Sequence, residues 1–216
     1  ARTGFEIEKA TWDSICKYHP MLPLCPASRL RDELFKDLYG GSSKEWFRLA
    51  VDSGMFFTLF PFYSDILFTS AAAHPSCKIQ LENTFALLDE INHGGNGTKR
   101  QQIPHFFVLA LIMLPWAQLQ FNLPNIRLKG PTYYQLSKKV RREIDNHLGI
   151  QLNLRKSIRQ EMVTLLCNLP QFVRFVQNNS SPKWLKKKSY YERCLLFYEF
   201  YIDVTSNQAT SPLSSK

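Results

Sequence analysis

Apolar residues recur at helical spacing from residue 26 to residue 61, a stretch closed at each end by a proline. In its first half the apolar side chains share one face and charged side chains occupy the other; the apolar ones are Leu30, Leu34, Phe35 and Leu38. Gly40 is expected to end this helix, and Ser42 with Glu45 is expected to form a capping box that starts the next one. Gly54 ends the second apolar series, which is Trp46, Phe47, Leu49 and Ala50. The pattern predicts two helices joined by a glycine pair.

Further helical patterns lie on both sides of this stretch. A helix is expected to start between Glu6 and Thr11, and residues 21–26 are expected to be extended because of the nearby prolines. Residues 79–91 are predicted to form an amphipathic helix with these residues inward: Leu81, Phe85, Leu88 and Ile91. Residues 103–121 are mostly apolar, but prolines and polar residues leave too short a run to span a bilayer. They are therefore predicted to form a helix buried on all sides.

Two more apolar seams follow. The first is Val140, Ile144 and Leu148, and the second is Leu152, Leu154, Ile158, Met162, Leu165 and Leu166. Loops are expected at residues 70–75, 92–100 and 122–131. The glycine-rich loop at 92–100 lacks the spacing of a P-loop and follows a helix rather than a strand, so a turn between helices is expected there. The patterns together predict an all-α protein, a multi-helix array.

The chain is divided here into a helical region 1–68, a helical body 69–205 and a polar tail 206–216 that is expected to be disordered. It begins without Met and with what resembles the end of a helix, so we expect a fragment of a longer protein. Because no charged leader precedes an apolar core, and because the five cysteines form no C-x-x-C pair, we expect a reduced, cytoplasmic protein.

The net charge of +9 is unevenly distributed. From Arg127 to Arg193 there are 15 Lys and Arg against 4 Asp and Glu, whereas the remainder holds 12 against 14. A basic half beside a near-neutral half is typical of a polyanion-binding surface, since Lys and Arg displace condensed counterions from phosphates. The alternative is a charged face that only keeps the protein soluble, although such faces have more mixed signs.

The basic residues gather in three clusters. The first is Lys138, Lys139, Arg141 and Arg142; the second is Arg155, Lys156 and Arg159; the third is Lys183, Lys186, Lys187 and Lys188. In the third cluster the lysines alternate with Trp184 and precede Tyr190 and Tyr191. Basic residues among aromatics can hold a nucleic-acid backbone and stack on bases. Equally, the aromatic rings can pack into the core and leave only the lysines in solvent.

The sequence contains none of the following catalytic motifs. The five histidines are scattered, with no H-E-x-x-H, and there is no G-x-S-x-G elbow and no signature around a cysteine. Adjacent carboxylates such as Asp32 and Glu33 point in different directions on a helix, so they suggest no two-metal site. The residues by themselves indicate a basic, all-helical binding module with no metal or cofactor.

Three segments of the first 61 residues resemble the neck region of class II nucleotidyltransferases, the bacterial poly(A) polymerases and tRNA CCA-adding enzymes. They are GFEIEKAT, PASRLRDELFKDL and WFRLAVDSGMFFTLFP. Arg29 and Glu33 match the second and last positions of the family's E-R-x-x-x-E motif, while Ser28 replaces the first glutamate. That replacement resembles the poly(A) polymerase branch. Segments of the C-terminal half are also similar to that branch, among them IPHFFVLALIMLPW, LNLRKSIRQEM and KKKSYYERCLLFYEFYIDV.

The resemblance implies a division of labour with a catalytic head outside this sequence. That head would carry paired aspartates and use Mg²⁺ and ATP to extend an RNA 3′ end, mRNA or tRNA-like, so this chain alone is expected to be inactive. Arg29 and Glu33 would form an ion pair that braces a nucleotide-binding neck at residues 1–68. The three basic clusters would contact RNA phosphates, and no membrane partner is expected. A CCA-adding enzyme, or a basic helical module that binds an acidic protein partner, are the alternatives.

Overall fold

The computed structural model describes residues 1, 3–69, 75–94, 103–123, 125–127, 130–178 and 183–206, and most of these residues are helical. The ten α-helices are α1 Lys9–Tyr18, α2 Ala27–Leu38, α3 Ser43–Asp52, α4 Met55–Leu59, α5 Pro75–His93, α6 His105–Phe121, α7 Gly130–Ile144, α8 Lys156–Gln177, α9 Lys183–Lys186 and α10 Tyr191–Ser206. Short 3₁₀ or π turns lie at His19–Leu24, Pro61–Tyr63, Asp65–Thr69 and Asp145–Gly149. No β-strand occurs in these ranges, so the all-α prediction is confirmed.

The prediction of an extended connector at 21–26 is wrong for its first four residues. Residues His19–Leu24 form a 3₁₀ helix, and the extended part is Cys25, with φ −72° and ψ 149°, and Pro26, with φ −54° and ψ 125°. The physical reason is that proline's fixed φ also suits a helical first turn, where its missing N–H costs nothing. Pro20 occupies that position, and Pro23 continues the turn.

The prediction of a capping box at the start of α3 is also wrong. The Ser42 side chain makes no capping hydrogen bond. Instead, the carboxylate of Asp89 in α5 accepts the Ser43 N–H at 2.6 Å and the Lys44 N–H at 2.9 Å. Glu45, the expected partner of Ser42, pairs with Arg48 at 2.7 Å, and that contact lowers the pKa of its carboxyl group. A carboxylate that is distant in sequence therefore accepts the hydrogen bonds of the free N–H groups in the first turn of α3.

The first of the predicted helices ends slightly earlier than the glycine pattern predicts. Helix α2 ends at Leu38, two residues before Gly40, and Gly41 is the residue with positive φ, +75°. Gly54 also has positive φ, +83°, and a Cβ there would lie 2.6 Å from His19 Nε2. Only glycine meets both demands at Gly54.

Helix α6 lies at the centre of the core, as its apolar sequence predicts, with every residue from 107 to 117 buried. Helices α5, α8 and α10 pack against it. Pro115 lies inside α6, and one turn of the helix there is completed by Tyr63. The Tyr63 hydroxyl donates to the Ile112 carbonyl at 2.6 Å and accepts the Trp116 N–H at 3.2 Å. The hydroxyl therefore bridges the Trp116 N–H and the Ile112 carbonyl, which are four residues apart and would hydrogen-bond to each other in a regular α-helix.

The inward residues of the other predicted helices are largely confirmed. Leu81, Phe85 and Leu88 of α5 are buried, and Ile91 is half-buried. The first seam lies in α7 and the turn after it, and the second leads into α8; apart from the half-buried Ile158, the residues of both seams are buried. Helices α7 and α8 pack together and run antiparallel, because Asp145 just after α7 pairs with Arg159 at the start of α8.

Several predictions fall wholly or partly on residues outside those that the structure describes. They are the loops at 70–75 and 92–100, part of the loop at 122–131, and nearly all of the tail at 206–216. The described part of 122–131 is a turn, except that α7 already begins at Gly130. The division of the chain at residues 68 and 205 stays a prediction. Among the described residues, no helix is long and apolar enough to cross a bilayer.

Candidate nucleic-acid interface

The start of α2 and the loop before α8 meet although they are far apart in sequence. The Arg31 guanidinium donates from Nη1 to the Asn153 carbonyl at 3.2 Å, a contact that spans 122 residues. On the other side of the loop, Gln151 Nε2 donates to the Thr58 carbonyl at 2.6 Å. Asn153 has φ +44°, which an asparagine tolerates better than most residues. These contacts attach the loop to the N-terminal helices.

The loop brings two groups of basic residues to one place. Arg155 and Lys156 follow Asn153 by two and three residues, whereas Arg29, two residues before Arg31, points in a different direction on α2. We call the side chains of Arg31, Arg155 and Lys156 the junction surface. Arg155 and Lys156 are exposed, whereas Arg31 is half-buried and also pairs with Asp32 at 2.8 Å. The N-terminal helices and the basic half of the chain therefore share a positively charged surface.

The cations of the first two clusters differ in whether the protein already neutralises them. Arg159 forms an ion pair with Asp145, and Arg142 forms one with Glu143 at 3.0 Å. Arg159 also packs closely on Gly149, where a Cβ would lie 3.0 Å from its Cδ. By contrast, no ion pair within the described ranges involves these exposed cations: Arg29, Lys138, Lys139, Arg155 and Lys156. The unpaired cations are the ones available to an external anion.

The expected ion pair between Arg29 and Glu33 is not formed. Glu33 pairs with Lys36 at 2.7 Å instead, and Arg29 is exposed. The physical reason is orientation: on a helix an acidic residue pairs better with a cation that follows it than with one that precedes it. The role of Arg29 and Glu33 as a brace for a nucleotide pocket stays a prediction.

The third cluster surrounds the short helix α9. We call its four exposed side chains the lysine patch: Lys183, Lys186, Lys187 and Lys188. The neighbouring aromatic residues divide between surface and core. Trp184 is 53% exposed, whereas Tyr190 and Tyr191 are half-buried, Tyr191 lying 5.6 Å from the Phe172 ring. Burial raises the pKa of Tyr190. The two tyrosines therefore pack against the core, as one of the two alternatives predicts, whereas Trp184 lies at the surface beside the lysines, as the other predicts.

The three clusters do not form a continuous patch. The second cluster begins α8, and the lysine patch follows its C-terminal end, where Trp184 contacts Phe175 edge to face at 6.3 Å. Helix α8 has 22 residues, so the two ends lie about 33 Å apart at 1.5 Å per residue. Arg141 and Arg142, in the last turn of α7, belong to the same end as the junction surface.

Sequence reasoning missed two features near the junction surface. The helical pattern puts Arg31 on the charged face of α2, and nothing local in the sequence identifies the Asn153 carbonyl as its partner. His105, at the start of α6, stacks on Phe35 with ring centroids 3.7 Å apart. Burial, and then the positive charge of Arg31, lower the pKa of His105. This imidazole is thereby kept neutral beside the cations.

Within the described ranges, no three His, Cys, Asp or Glu side chains lie together so that they could hold a metal ion. All five cysteines are free thiols; Cys77, Cys167 and Cys194 are buried, whereas Cys16 is half-buried and Cys25 is exposed. Burial raises the pKa of each of the three buried thiols to about 12, which leaves them protonated and unreactive.

Residues 4–67 match the family model described as "Probable RNA and SrmB- binding site of polymerase A". The match identifies a poly(A) polymerase-like RNA-binding region, in agreement with the neck resemblance. It ends at residue 67, inside the π turn at Asp65–Thr69, and it includes Arg29 and also Arg31 of the junction surface.

A comparison with curated proteins gives no match, and neither does a comparison with solved structures.

Proposed function

We propose that this chain is the RNA-binding neck and body portion of a poly(A) polymerase that adds adenylate to RNA 3′ ends. Catalysis, with its Mg²⁺ and ATP, belongs in this proposal to a head domain outside this sequence. The chain supplies cations that hold the RNA near that head. The RNA-facing residues are those of the three basic clusters together with Arg29 and Arg31.

The hydrogen bond from Arg31 to Asn153 carries the proposal. The matched residues 4–67 contain seven Lys and Arg against nine Asp and Glu, so by themselves they offer little attraction to a polyanion. The bond joins them to a loop that leads directly into Arg155 and Lys156. A region matched as RNA-binding thereby gains the positive surface that phosphate binding needs.

The unpaired cations are expected to contribute most. Arg155, Lys156, Lys138 and Lys139 can each approach a phosphate without first breaking an ion pair. Arg159 and Arg142 must give up, or share, a carboxylate before they can bind RNA strongly. These ion pairs support a ranking of the cluster residues, which can be tested one side chain at a time.

Two alternatives differ in what the positive surface binds. A tRNA CCA-adding enzyme would use the same cations on tRNA-shaped RNA. A protein partner is favoured by a specific observation, since the matched description names SrmB beside RNA. In that case the junction surface would bind acidic side chains, and RNA affinity would be weak.

The test is an RNA-binding titration of Arg155→Gln/Lys156→Gln against the unchanged chain, with a labelled 20-nucleotide RNA in 0.15 M salt. Each phosphate contact on a single strand releases about 0.7 counterion, so losing two contacts should weaken binding about 15-fold at this salt concentration. The loss should be similar for unrelated RNA sequences, because phosphates carry no sequence information.

Lys78→Gln is the matched control, because Lys78 is an exposed lysine in α5 outside the three clusters. Its affinity for the same RNA should stay within about twofold of the unchanged chain. Equal losses for the control and the double variant, or no loss for either, would remove the junction surface from the proposal.

A further inference from the structure

The lysine patch differs from the junction surface in composition and in position. Its cations are all lysines, and the junction surface is mostly arginine. The patch also follows the C-terminal end of α8 in the sequence, and the contact of Trp184 with Phe175 places it beside the last turns of that helix. No ion pair within the described ranges involves any of its four lysines. The patch therefore presents four uncompensated positive charges on a short segment.

Trp184 lies among these lysines and is exposed, unlike the tryptophans of the core. It is 53% exposed, whereas Trp46 is 7% and Trp116 is 6% exposed. Leu185, the next residue, is 2% exposed and anchors the segment to the core. The Phe175 ring, 6.3 Å from Trp184 at an interplanar angle of 78°, supports the indole from one side. A large aromatic surface is thus held in solvent between cations.

We propose that the lysine patch and Trp184 form a second contact for single-stranded RNA, in which a base stacks on the Trp184 indole while the lysines hold the flanking phosphates. This inference rests on the proposed function. Exposed aromatic rings between cations are how proteins bind single strands without reading their sequence, because every base has a stacking face. A membrane surface or an acidic protein would use the lysines but would have no flat base for the indole to stack on.

The position of the patch sets the length of RNA that can use both contacts. The two ends of α8 are about 33 Å apart. A stacked strand has one phosphate per about 3.4 Å, so roughly ten nucleotides are needed to reach from the junction surface to the lysine patch. A five-nucleotide RNA can occupy only one contact at a time, whereas a 20-nucleotide RNA can occupy both.

The experiment measures the affinity of the whole chain for oligo(A) RNAs of 5 and 20 nucleotides, and compares Trp184→Leu with Trp184→Phe. Leucine keeps an apolar side chain but has no ring, and phenylalanine keeps a stacking face. For the 20-mer, Trp184→Leu should lose between about fivefold and 150-fold, the range for stacking one base, and Trp184→Phe should lose much less. Lys186→Gln/Lys187→Gln/Lys188→Gln should weaken the 20-mer and lower the gain from 5 to 20 nucleotides.

Tryptophan fluorescence gives a second readout that does not depend on affinity alone. Of the four tryptophans, Trp46 and Trp116 are buried and Trp12 is partly buried, so quenching by the 20-mer should come chiefly from Trp184. The quenching should be lost in both Trp184 variants. Urea unfolding of Trp184→Leu should match the unchanged chain, because the side chain is more than half exposed.

The outcomes separate this inference from the proposed function. If Trp184→Leu and the triple lysine variant bind the 20-mer as the unchanged chain does, while Arg155→Gln/Lys156→Gln binds it weakly, the second contact is overturned and the proposed function stands. If the lysine variant weakens binding but Trp184→Leu and Trp184→Phe behave alike, stacking is overturned. If the unchanged chain binds neither RNA, the proposed function itself fails.

Discussion

At the scale of single residues, Asp89 shows how a distant side chain can replace a local signal. Its Oδ1 lies 2.6 Å from the Ser43 nitrogen and 2.7 Å from Ser43 Oγ, and its Oδ2 lies 2.9 Å from the Lys44 nitrogen. Ser43 is fully buried, so its N–H group depends on this carboxylate rather than on water. The contact also ties α5 to the start of α3.

Asp89→Asn should therefore destabilise the fold. The amide oxygen can still accept from Ser43, but the NH₂ group would then face the exposed Lys44 N–H, and losing that charge-assisted hydrogen bond should cost about 0.5–1.5 kcal/mol. Urea unfolding followed by circular dichroism gives the change. Ser42→Ala is the matched variant and should cost less than about 0.5 kcal/mol, since that side chain caps nothing. A larger loss for Ser42→Ala than for Asp89→Asn would restore the capping box.

At the scale of helices, α6 depends on the side chain of Tyr63, which precedes it in the chain by more than 40 residues. The Tyr63 hydroxyl is inserted between the Ile112 carbonyl and the Trp116 N–H, next to Pro115. Tyr63 is fully buried, and burial raises its pKa far above the usual range for tyrosine. Its hydroxyl is therefore a permanent donor to α6. The central helix and the segment before the π turn are coupled through this one group.

Tyr63→Phe tests that coupling. Removing the hydroxyl leaves a buried carbonyl and a buried N–H without their partner, which should cost about 1–3 kcal/mol in the free energy of unfolding. Tyr134→Phe is the control, because Tyr134 is 70% exposed, and its loss should stay below about 0.5 kcal/mol. Similar small effects for both variants would mean that α6 closes its own turn at Pro115.

Helix positions and buried faces could be predicted because they depend on neighbours three and four residues away. The seam of Val140, Ile144 and Leu148 and the buried series of α6 are examples. The contacts between distant segments could not, neither those that hold the helices together nor the one that forms the candidate site. Asp89 acts 46 residues from Ser43 and Tyr63 acts 53 residues from Trp116 in the fold, and Arg31 acts 122 residues from Asn153 in the site. Only the folded backbone decides which of many polar residues meet at such separations.

At the scale of the whole molecule, the region matched as RNA-binding and the basic half of the chain are complementary. Residues 4–67 carry the family match but slightly more acidic than basic residues, whereas the excess of Lys and Arg follows Arg127. The loop at 150–155 joins the two at the junction surface. The excess of positive charge therefore lies in one half of the chain and the family match in the other, and the two meet at this surface.

The most direct test of this account is the salt dependence of RNA binding by the unchanged chain. If about six of the unpaired cations contact phosphates of a 20-nucleotide single strand, log Kobs against log[salt] should have a slope near −4. Affinity should then fall about 80-fold between 0.1 M and 0.3 M NaCl. A slope shallower than about −1 would mean that at most one or two phosphates are held, and would contradict the claim that this surface binds RNA.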